Sequence, residues 1–163
     1  MKTVNIFLLF ISLLYGCDSA TEECVFIPES SKIPIDLQFE ALQDTFINVK
    51  SKNELVSLLT RHPVIRDEIF RRAEYPSDSI FVDELYARLS NPHLDTLLGE
   101  TRRVFGNLAG LKGEFEEAFR NITYYYPDFK PPRIQTVVSG LDTDLFVTDS
   151  LIIVSLDFYL GEG

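Results

Sequence analysis

Cys17 has the clearest chemical role in this sequence, because its thiol comes directly after a short apolar segment. That segment covers residues 4–15 and follows the positively charged pair Met1-Lys2. Gly16 separates the segment from the cysteine and is small enough for a peptidase to reach the bond before Cys17. Thiolates are strong nucleophiles. The arrangement therefore predicts transfer of a diacylglyceryl group to Cys17 and cleavage between Gly16 and Cys17.

The N-terminal segment has the pattern of a secretory signal peptide. A membrane-spanning helix needs about 20 apolar residues, and the segment 4–15 is shorter than this. A basic start, a brief apolar core and a small residue before the cleavage point are typical of exported proteins. Leu14-Tyr15-Gly16-Cys17 resembles the bacterial lipobox. We predict a signal peptide over 1–16 and a lipidated N-terminus at Cys17; the alternative is a buried N-terminal helix that ends in a chance cysteine.

Other reactive or metal-binding residue types are sparse. His62 and His93 are isolated and lie beside prolines in segments with a helical pattern, so we expect a solvent-facing or capping role for both. Zinc sites need three or four close nitrogen, sulfur or oxygen ligands. Cys24 has no partner once Cys17 is acylated, which excludes a disulfide. We find no Ser-His-Asp or Cys-His set, and we predict no catalytic residue, no metal and no cofactor.

The charge of the chain limits its partners. It has 15 basic and 25 acidic residues, a formal net charge of −10, and removal of Lys2 with the signal peptide leaves 14 − 25 = −11. Phosphate backbones repel such a chain, so a nucleic acid is not expected as a partner. Anionic lipid head groups do not attract it either. Membrane attachment is therefore expected through acyl chains, two or more of which give a stable anchor.

Six residues after the helical part are candidates for binding a partner protein. Tyrosine is favoured at interfaces because its ring buries a large area while its hydroxyl can still form a hydrogen bond. For the aromatic residues, the alternative is a helix end whose rings fold onto a sheet. For Asp157, which follows a buried strand, the alternative is a side chain that caps the following turn. The six are Tyr124, Tyr125, Tyr126, Asp128, Phe129 and Asp157.

The middle of the chain is expected to be helical. Ser51-Lys52-Asn53-Glu54 is typical of a capping box that opens a helix. Ser77-Asp78 precedes a second amphipathic segment. Asn91-Pro92 is typical of a helix cap that is followed by proline at the first helical position. Apolar residues at steps of three and four over 108–122 predict a further helix.

Strands are expected on both sides of these helices. Residues 33–39 alternate between apolar and polar, and Pro34 favours an edge strand or a strand start. Residues 134–138 are rich in β-branched side chains, and the turn 140–144 predicts a hairpin between them and 145–148. Residues 151–156 predict a strand that is buried on both faces, of which we expect the helices to cover only one.

These elements predict an α+β fold. The mostly helical N-terminal and middle part is expected to pack on a small β-sheet formed largely by the C-terminal third. We assign residues 17–32 to an acylated N-terminus and flexible tether, because the segment is polar, and residues 33–163 to a single domain.

Three motifs follow the helices in a fixed order. They are Tyr124-Tyr125-Tyr126-Pro127-Asp128-Phe129-Lys130, Asp149-Ser150-Leu151 and Leu156-Asp157-Phe158-Tyr159-Leu160-Gly161. Together with the lipobox and the alternating segment 33–39, this set resembles gliding motility lipoprotein B (GldB) of the Bacteroidota. Tyr126 stands where that family usually has phenylalanine. Family members continue well beyond this length, so the resemblance suggests a truncated or partial member.

The resemblance implies a lipid-anchored cell-envelope protein on the periplasmic face of the inner or outer membrane. Its expected role is to support or bind envelope proteins of the gliding motility and protein secretion apparatus, without catalysis. The alternative is the front half of a zincin-like metallohydrolase, because the order of elements is similar to that of zincins. The His-Glu-x-x-His helix of such an enzyme is missing from this chain, and a longer downstream reading frame that encodes it would favour the enzyme.

Asp-Ser/Thr-apolar triplets occur at several positions in the chain. They resemble the sites at which Bacteroidota attach O-linked glycans to exported proteins. The alternative is chance combined with helix capping by aspartate and serine. The candidate acceptors are Ser79, Thr96 and Ser150.

Overall fold

The computed structural model describes residues 30–161, which form five α-helices and one four-stranded sheet. No helix in this part of the chain is long and apolar enough to cross a membrane. Short helical turns occupy Ser30–Lys32, Ile65–Ile69, Arg72–Glu74 and Leu156–Tyr159. The helices are α1 (Gln43–Ile47), α2 (Lys52–Arg61), α3 (Asp78–Leu89), α4 (Pro92–Phe105) and α5 (Ala109–Tyr125). The strands are β1 (Phe39–Ala41), β2 (Arg133–Val137), β3 (Leu145–Val147) and β4 (Leu151–Ser155).

Three helices begin where the sequence predicts. The Ser51 hydroxyl accepts the Glu54 N–H at the start of α2, at 3.2 Å, and the Ser77 hydroxyl accepts the Ile80 N–H at the start of α3, at 3.3 Å. At α4, the Asn91 side chain accepts the N–H of His93 at 2.9 Å, and proline follows the cap. Each cap satisfies a backbone donor that has no partner inside its helix.

The strands form one sheet in the order β1-β2-β4-β3. β1, β2 and β4 run parallel to one another, and β3 runs antiparallel to β4 at the edge of the sheet. In this register, Arg133 of β2 lies beside Leu151 of β4, and Val137 lies beside Ser155. The most apolar strand, β4, therefore has a neighbour on each side. The α+β prediction, with a sheet formed largely by the C-terminal third, is confirmed.

The strand predicted over 33–39 is wrong in its extent. Only Phe39 of that segment lies in β1, and the Gln38 carbonyl accepts a single hydrogen bond from the Ile134 N–H at 2.8 Å. Pro34 has no N–H to donate to a ladder, which disfavours pairing at the start of the segment. Exposure nevertheless alternates along it: Leu37 is buried, and its neighbours Asp36 and Gln38 are exposed. The alternating pattern thus indicates which side chains face the core, although residues 33–38 do not form a hydrogen-bonded strand.

The hairpin predicted between 134–138 and 145–148 is also wrong. β3 pairs with β4, through Leu145 beside Val154 and Val147 beside Ile152, and β2 pairs with β4 in parallel. The tight turn is the one at 148–150, where the Thr148 hydroxyl accepts the N–H groups of Ser150 and Leu151. Pairing of β2 with β4 buries both of these apolar strands, and the short β3 is left at the edge.

The sheet has helical structure on both faces. On the first face, buried side chains of α1 to α4 form one cluster with Val137, Leu151 and Ile153. On the second face, α5 packs against Ile134, Ile152 and Val154 through its phenylalanines and Leu111. The prediction that β4 is buried on both faces is confirmed. The prediction that the helices cover only one face is wrong, because α5 packs on the second face and covers most of it.

Candidate functional site

Three consecutive tyrosines form the most exposed aromatic cluster of the described chain. Tyr124, Tyr125 and Tyr126 have 41%, 56% and 70% of their surfaces exposed. The rings of Tyr124 and Tyr125 meet edge to face, with centroids 5.1 Å apart. We call these three residues the tyrosine cluster.

The tyrosine cluster projects from the C-terminal end of α5 because the helix must stop there. The Tyr126 N–H still donates to the Ile122 carbonyl at 2.8 Å, but Pro127 has no N–H to extend the helix. The chain then turns sharply, with the Phe129 N–H bonded to the Tyr126 carbonyl at 2.9 Å. This turn leaves the tyrosine rings facing away from the core.

The other two candidates in the motif 124–130, Asp128 and Phe129, differ from the tyrosines and from each other in exposure. Phe129 is half-buried and packs against Phe119 of α5, with ring centroids 5.6 Å apart. Asp128 is exposed. The alternative of rings folded onto the sheet therefore describes Phe129 but not the tyrosine cluster.

Asp157 lies inside the protein and holds a turn. Its side chain is 3% exposed and accepts hydrogen bonds from the backbone N–H of Ser139 at 3.1 Å and of Leu141 at 2.6 Å. The Ser139 hydroxyl lies 3.4 Å from Oδ2, the carboxylate oxygen that also accepts the Leu141 N–H. The alternative interpretation, a carboxylate that caps a turn, describes this geometry, although the turn lies earlier in the chain than Asp157.

The three candidate glycan acceptors are exposed and well separated along the chain. Ser79 lies in the first turn of α3, Thr96 is the fifth residue of α4, and Ser150 lies in the turn between β3 and β4. The helix caps at these places are Ser77 and Asn91, so capping does not occupy the acceptor hydroxyls.

His62 belongs to a polar group that local sequence does not reveal. It is the C-cap residue of α2, but its side chain is only 11% exposed and its ring lies edge to face against Phe46. Gln135 donates to Glu40 at 2.7 Å, and its amide nitrogen lies 3.4 Å from Nδ1 of His62. Glu40 and Gln135 are neighbours in the β1–β2 register but are 95 residues apart in sequence.

His93, in contrast, is exposed in the first turn of α4. Among residues 30–161, no three His, Cys, Asp or Glu side chains lie close enough together to hold a metal ion.

An apolar groove remains on the second face of the sheet. It has a volume of about 400 Å³ and almost wholly apolar walls. Leu111 and Phe115 of α5 form one wall, and Leu145, Val147 and Ile152 form the other. Leu145 and Val147 belong to the edge strand β3 and are exposed. The groove is the part of this face that α5 leaves uncovered.

Gly16 and Cys17 lie outside the residues that the structure describes, so their predicted roles rest on the sequence alone.

A family model described as gliding motility protein GldB matches residues 23–163 of the chain. Comparisons with curated proteins and with solved structures found no match.

Proposed function

The chain belongs to the gliding motility protein GldB family, and on this basis we propose that it is a lipid-anchored envelope protein that binds a partner in the gliding and secretion apparatus. The family is one of gliding-motility lipoproteins. In this proposal the domain binds and supports its partner without catalysing a reaction. The observation that carries the binding role is the exposure of the tyrosine cluster.

Anchoring is assigned to the N-terminus. Residues 1–16 act as the signal peptide, Cys17 carries the acyl chains, and residues 17–29 form the tether of a single domain. The tether predicted over 17–32 is too long at its end, because Ser30 is buried and its hydroxyl donates to Oδ1 of Asn121 in α5 at 2.6 Å. From Cys17 to Ser30 is 30 − 17 = 13 residues, so the tether reaches at most about 45 Å. The acidic domain gains nothing from anionic lipid head groups, so the acyl chains alone hold it at the membrane.

The location is the cell envelope, at the periplasmic face of either the inner or the outer membrane. Separation of the two membranes on a density gradient, followed by immunodetection of the protein, distinguishes the two locations. Recovery of the protein in the soluble fraction would contradict anchoring.

The tyrosine cluster suits a protein partner for physical reasons. Tyrosine rings lose few rotational states on binding and bury a large apolar area, and tyrosines are enriched among residues that dominate binding energy. A buried cluster would stabilise the core, but exposed rings at a helix end contribute little to it. The partner is therefore expected to bury Tyr125 and Tyr126 in pockets of its own.

Site-specific photocrosslinking in motile cells tests this role. A photoreactive phenylalanine analogue at position 125 should give one discrete adduct with an envelope protein of the apparatus. Val56 is similarly exposed, on α2 in the other helical layer, and the same analogue there should give no such adduct. An adduct that forms equally at both positions would contradict a specific surface.

A motility assay gives the second part of the test. Replacement of the three tyrosines by serine should abolish spreading on agar while the protein stays folded and in the membrane fraction. The matched control replaces two exposed aliphatic residues elsewhere, Val56 and Ile80, by serine and should spread normally. Normal spreading of the tyrosine variant would show that the cluster is not the binding surface.

A further inference from the structure

Two arginines differ from all the others in the described chain. Among residues 30–161, seven of the nine arginines lie within 4.0 Å of a carboxylate oxygen of another side chain. Arg61 and Arg133 have no such partner in this range. The chain has 25 acidic and only 15 basic residues, so an arginine without a carboxylate beside it is unexpected. Both of these arginines line the same cavity.

The fold brings together two arginines that are 133 − 61 = 72 residues apart in sequence. Arg61 is the last residue of α2, and Arg133 is the first residue of β2. The cavity between them has a volume of about 240 Å³ and also contains Glu40, His62 and Gln135. Arg133 and Gln135 are two residues apart on one strand, so their side chains share a face of the sheet. We call this cavity the Arg61–Arg133 pocket.

Hydrogen bonds fix the polar groups inside the pocket. Gln135, which is 4% exposed, donates its amide to Oε2 of Glu40 at 2.7 Å and approaches Nδ1 of His62. An amide nitrogen only donates, so a hydrogen bond between these two atoms has Nδ1 of the neutral imidazole as its acceptor. Nε2 lies 4.0 Å from Oε1 of Glu40, which is too long for a hydrogen bond. That carboxylate oxygen is therefore available to accept a donor from a ligand.

We propose that the Arg61–Arg133 pocket binds a small ligand that carries a carboxylate with an N–H donor on the adjacent carbon. Guanidinium groups bind carboxylates through paired, charge-assisted hydrogen bonds. The N–H donor of the ligand bonds to Oε1 of Glu40. The dianion of a phosphate ester, with two negative charges and no hydrogen-bond donor, would be repelled by the Glu40 carboxylate. This site is separate from the tyrosine cluster and does not depend on partner binding there.

Space for the rest of the ligand lies next to the pocket. A second cavity of about 550 Å³ shares Val64, Arg133 and Leu151 with it and extends towards Ser150 in the turn after β3. A side chain, or the preceding residue of a peptide, fits into this space. Two sources have the required chemistry: a free α-amino acid, whose N–H is an ammonium, and the C-terminal end of a peptide, whose N–H is an amide.

Histidine NMR on the full-length protein in detergent micelles tests the proposal. The chain has only two histidines, so selective labelling gives one signal inside the pocket, His62, and one internal control, the exposed His93. Alanine represents the free amino acid, and N-acetylalanine represents the peptide end. Propionate lacks the N–H donor, and alaninamide lacks the carboxylate. Each probe is titrated to about 10 mM, which nearly saturates a millimolar site.

We expect alanine or N-acetylalanine to shift the His62 signal without moving that of His93, and whichever binds more tightly identifies the source. Propionate, which lacks the hydrogen bond to Glu40, should bind roughly tenfold more weakly, and alaninamide, which lacks the bonds to both arginines, should bind more weakly still. The proposal is overturned if neither alanine nor N-acetylalanine shifts His62, or if propionate binds equally well.

Two independent variants complete the test. Arg61→Gln on α2 and Arg133→Gln on β2 should each weaken binding roughly tenfold, because each removes a charged donor. Arg103→Gln is the matched control, since Arg103 is exposed and pairs with Glu100 at 2.7 Å outside the pocket. Unchanged binding in both pocket variants would overturn the assignment of the two arginines.

Discussion

The carboxylate of Asp157 accepts the backbone N–H of Leu141 at 2.6 Å and so holds a residue whose φ is +62°. Gly140, the residue before it, also has a positive φ of +81°. A positive φ is costly for leucine, because its Cβ then approaches the following carbonyl oxygen. Asp157 therefore stabilises a strained turn at the carboxyl end of β2.

Replacement of Asp157 by alanine should lower the free energy of unfolding by about 2–4 kcal/mol, because it leaves buried donors without an acceptor. Urea denaturation of the purified protein measures this change. Asp128→Ala is the control, because Asp128 is exposed and should stay within about 0.5 kcal/mol of the wild type. Equal losses in the two variants would contradict the structural role of Asp157.

Lipid attachment at Cys17 predicts a clear labelling result. Radiolabelled palmitate should enter the wild-type protein and the Cys24→Ser variant, but not the Cys17→Ser variant. The Cys17 variant should also leave the membrane fraction, since the acyl chains are its only proposed anchor. Label in Cys17→Ser at the wild-type level would refute the lipidation site.

The apolar groove should bind a hydrophobic fluorescent dye such as anilinonaphthalene sulfonate. Glutamate at both Leu145 and Val147 should strongly reduce the dye fluorescence, because carboxylates would then line one wall and repel the sulfonate of the dye. Both positions are exposed, so the free energy of unfolding should change by less than about 0.5 kcal/mol for each. The same substitutions at Val56 and Ile80, which are exposed elsewhere, should leave dye binding unchanged, and a loss there of similar size would argue against the groove.

His62 should make stability depend on pH. Burial of the ring lowers its pKa below 6.5, and the nearby Arg61 and Arg133 add to this lowering, while Glu40 opposes it. A lowered pKa means that the unfolded state binds the proton more tightly than the folded state. The stabilising contribution is therefore complete above pH 6.5 and is lost as the pH falls through the pKa of the folded state.

Unfolding curves between pH 7.5 and pH 5 check this sign. His62→Gln should reduce the loss of stability on acidification, whereas His93→Gln should not, because His93 is exposed. An identical pH dependence in the wild type and in His62→Gln would show that His62 does not contribute.

Glycosylation at Ser79, Thr96 or Ser150 predicts a mass above that of the acylated chain. Intact-mass spectrometry of protein from its native host should show this excess, and alanine at each acceptor in turn should remove one glycan mass. Ser57 is an exposed serine on α2 outside any such triplet, and Ser57→Ala should leave the number of glycans unchanged. A native protein with no excess mass would refute all three sites.

The features that the sequence predicts well are those formed by neighbouring residues. The caps at Ser51, Ser77 and Asn91 bond to N–H groups two or three residues away, so their patterns are visible in a short stretch. The spacing of apolar residues likewise locates α5 and β4. The exposure of the tyrosine cluster follows in part from Pro127, which ends the helix.

Features that depend on distant residues are not visible in this way. Glu40 and Gln135 are in contact although they are 95 residues apart in sequence, and Gln135 and His62 are in contact although they are 73 residues apart. No local sequence pattern therefore predicts the Arg61–Arg133 pocket. The turn residues 140–144 alone favour a hairpin between β2 and β3. The observed pairing of β2 with β4 instead buries both apolar strands, and this depends on residues that are distant in sequence.

The position of β1 beside β2 has a consequence for how the protein folds. The two strands are adjacent in the sheet, yet every α-helix of the described chain lies between them in sequence. Contacts between residues so far apart raise the contact order, and a high contact order slows folding. When the chain emerges from a membrane with its N-terminus first, α2 to α5 can form early. β1 cannot pair until its neighbour β2, in the last third of the chain, has emerged. Until β2 arrives, the backbone groups of β1 are unpaired and can join other chains, so the interval after export is when this protein is most exposed to aggregation.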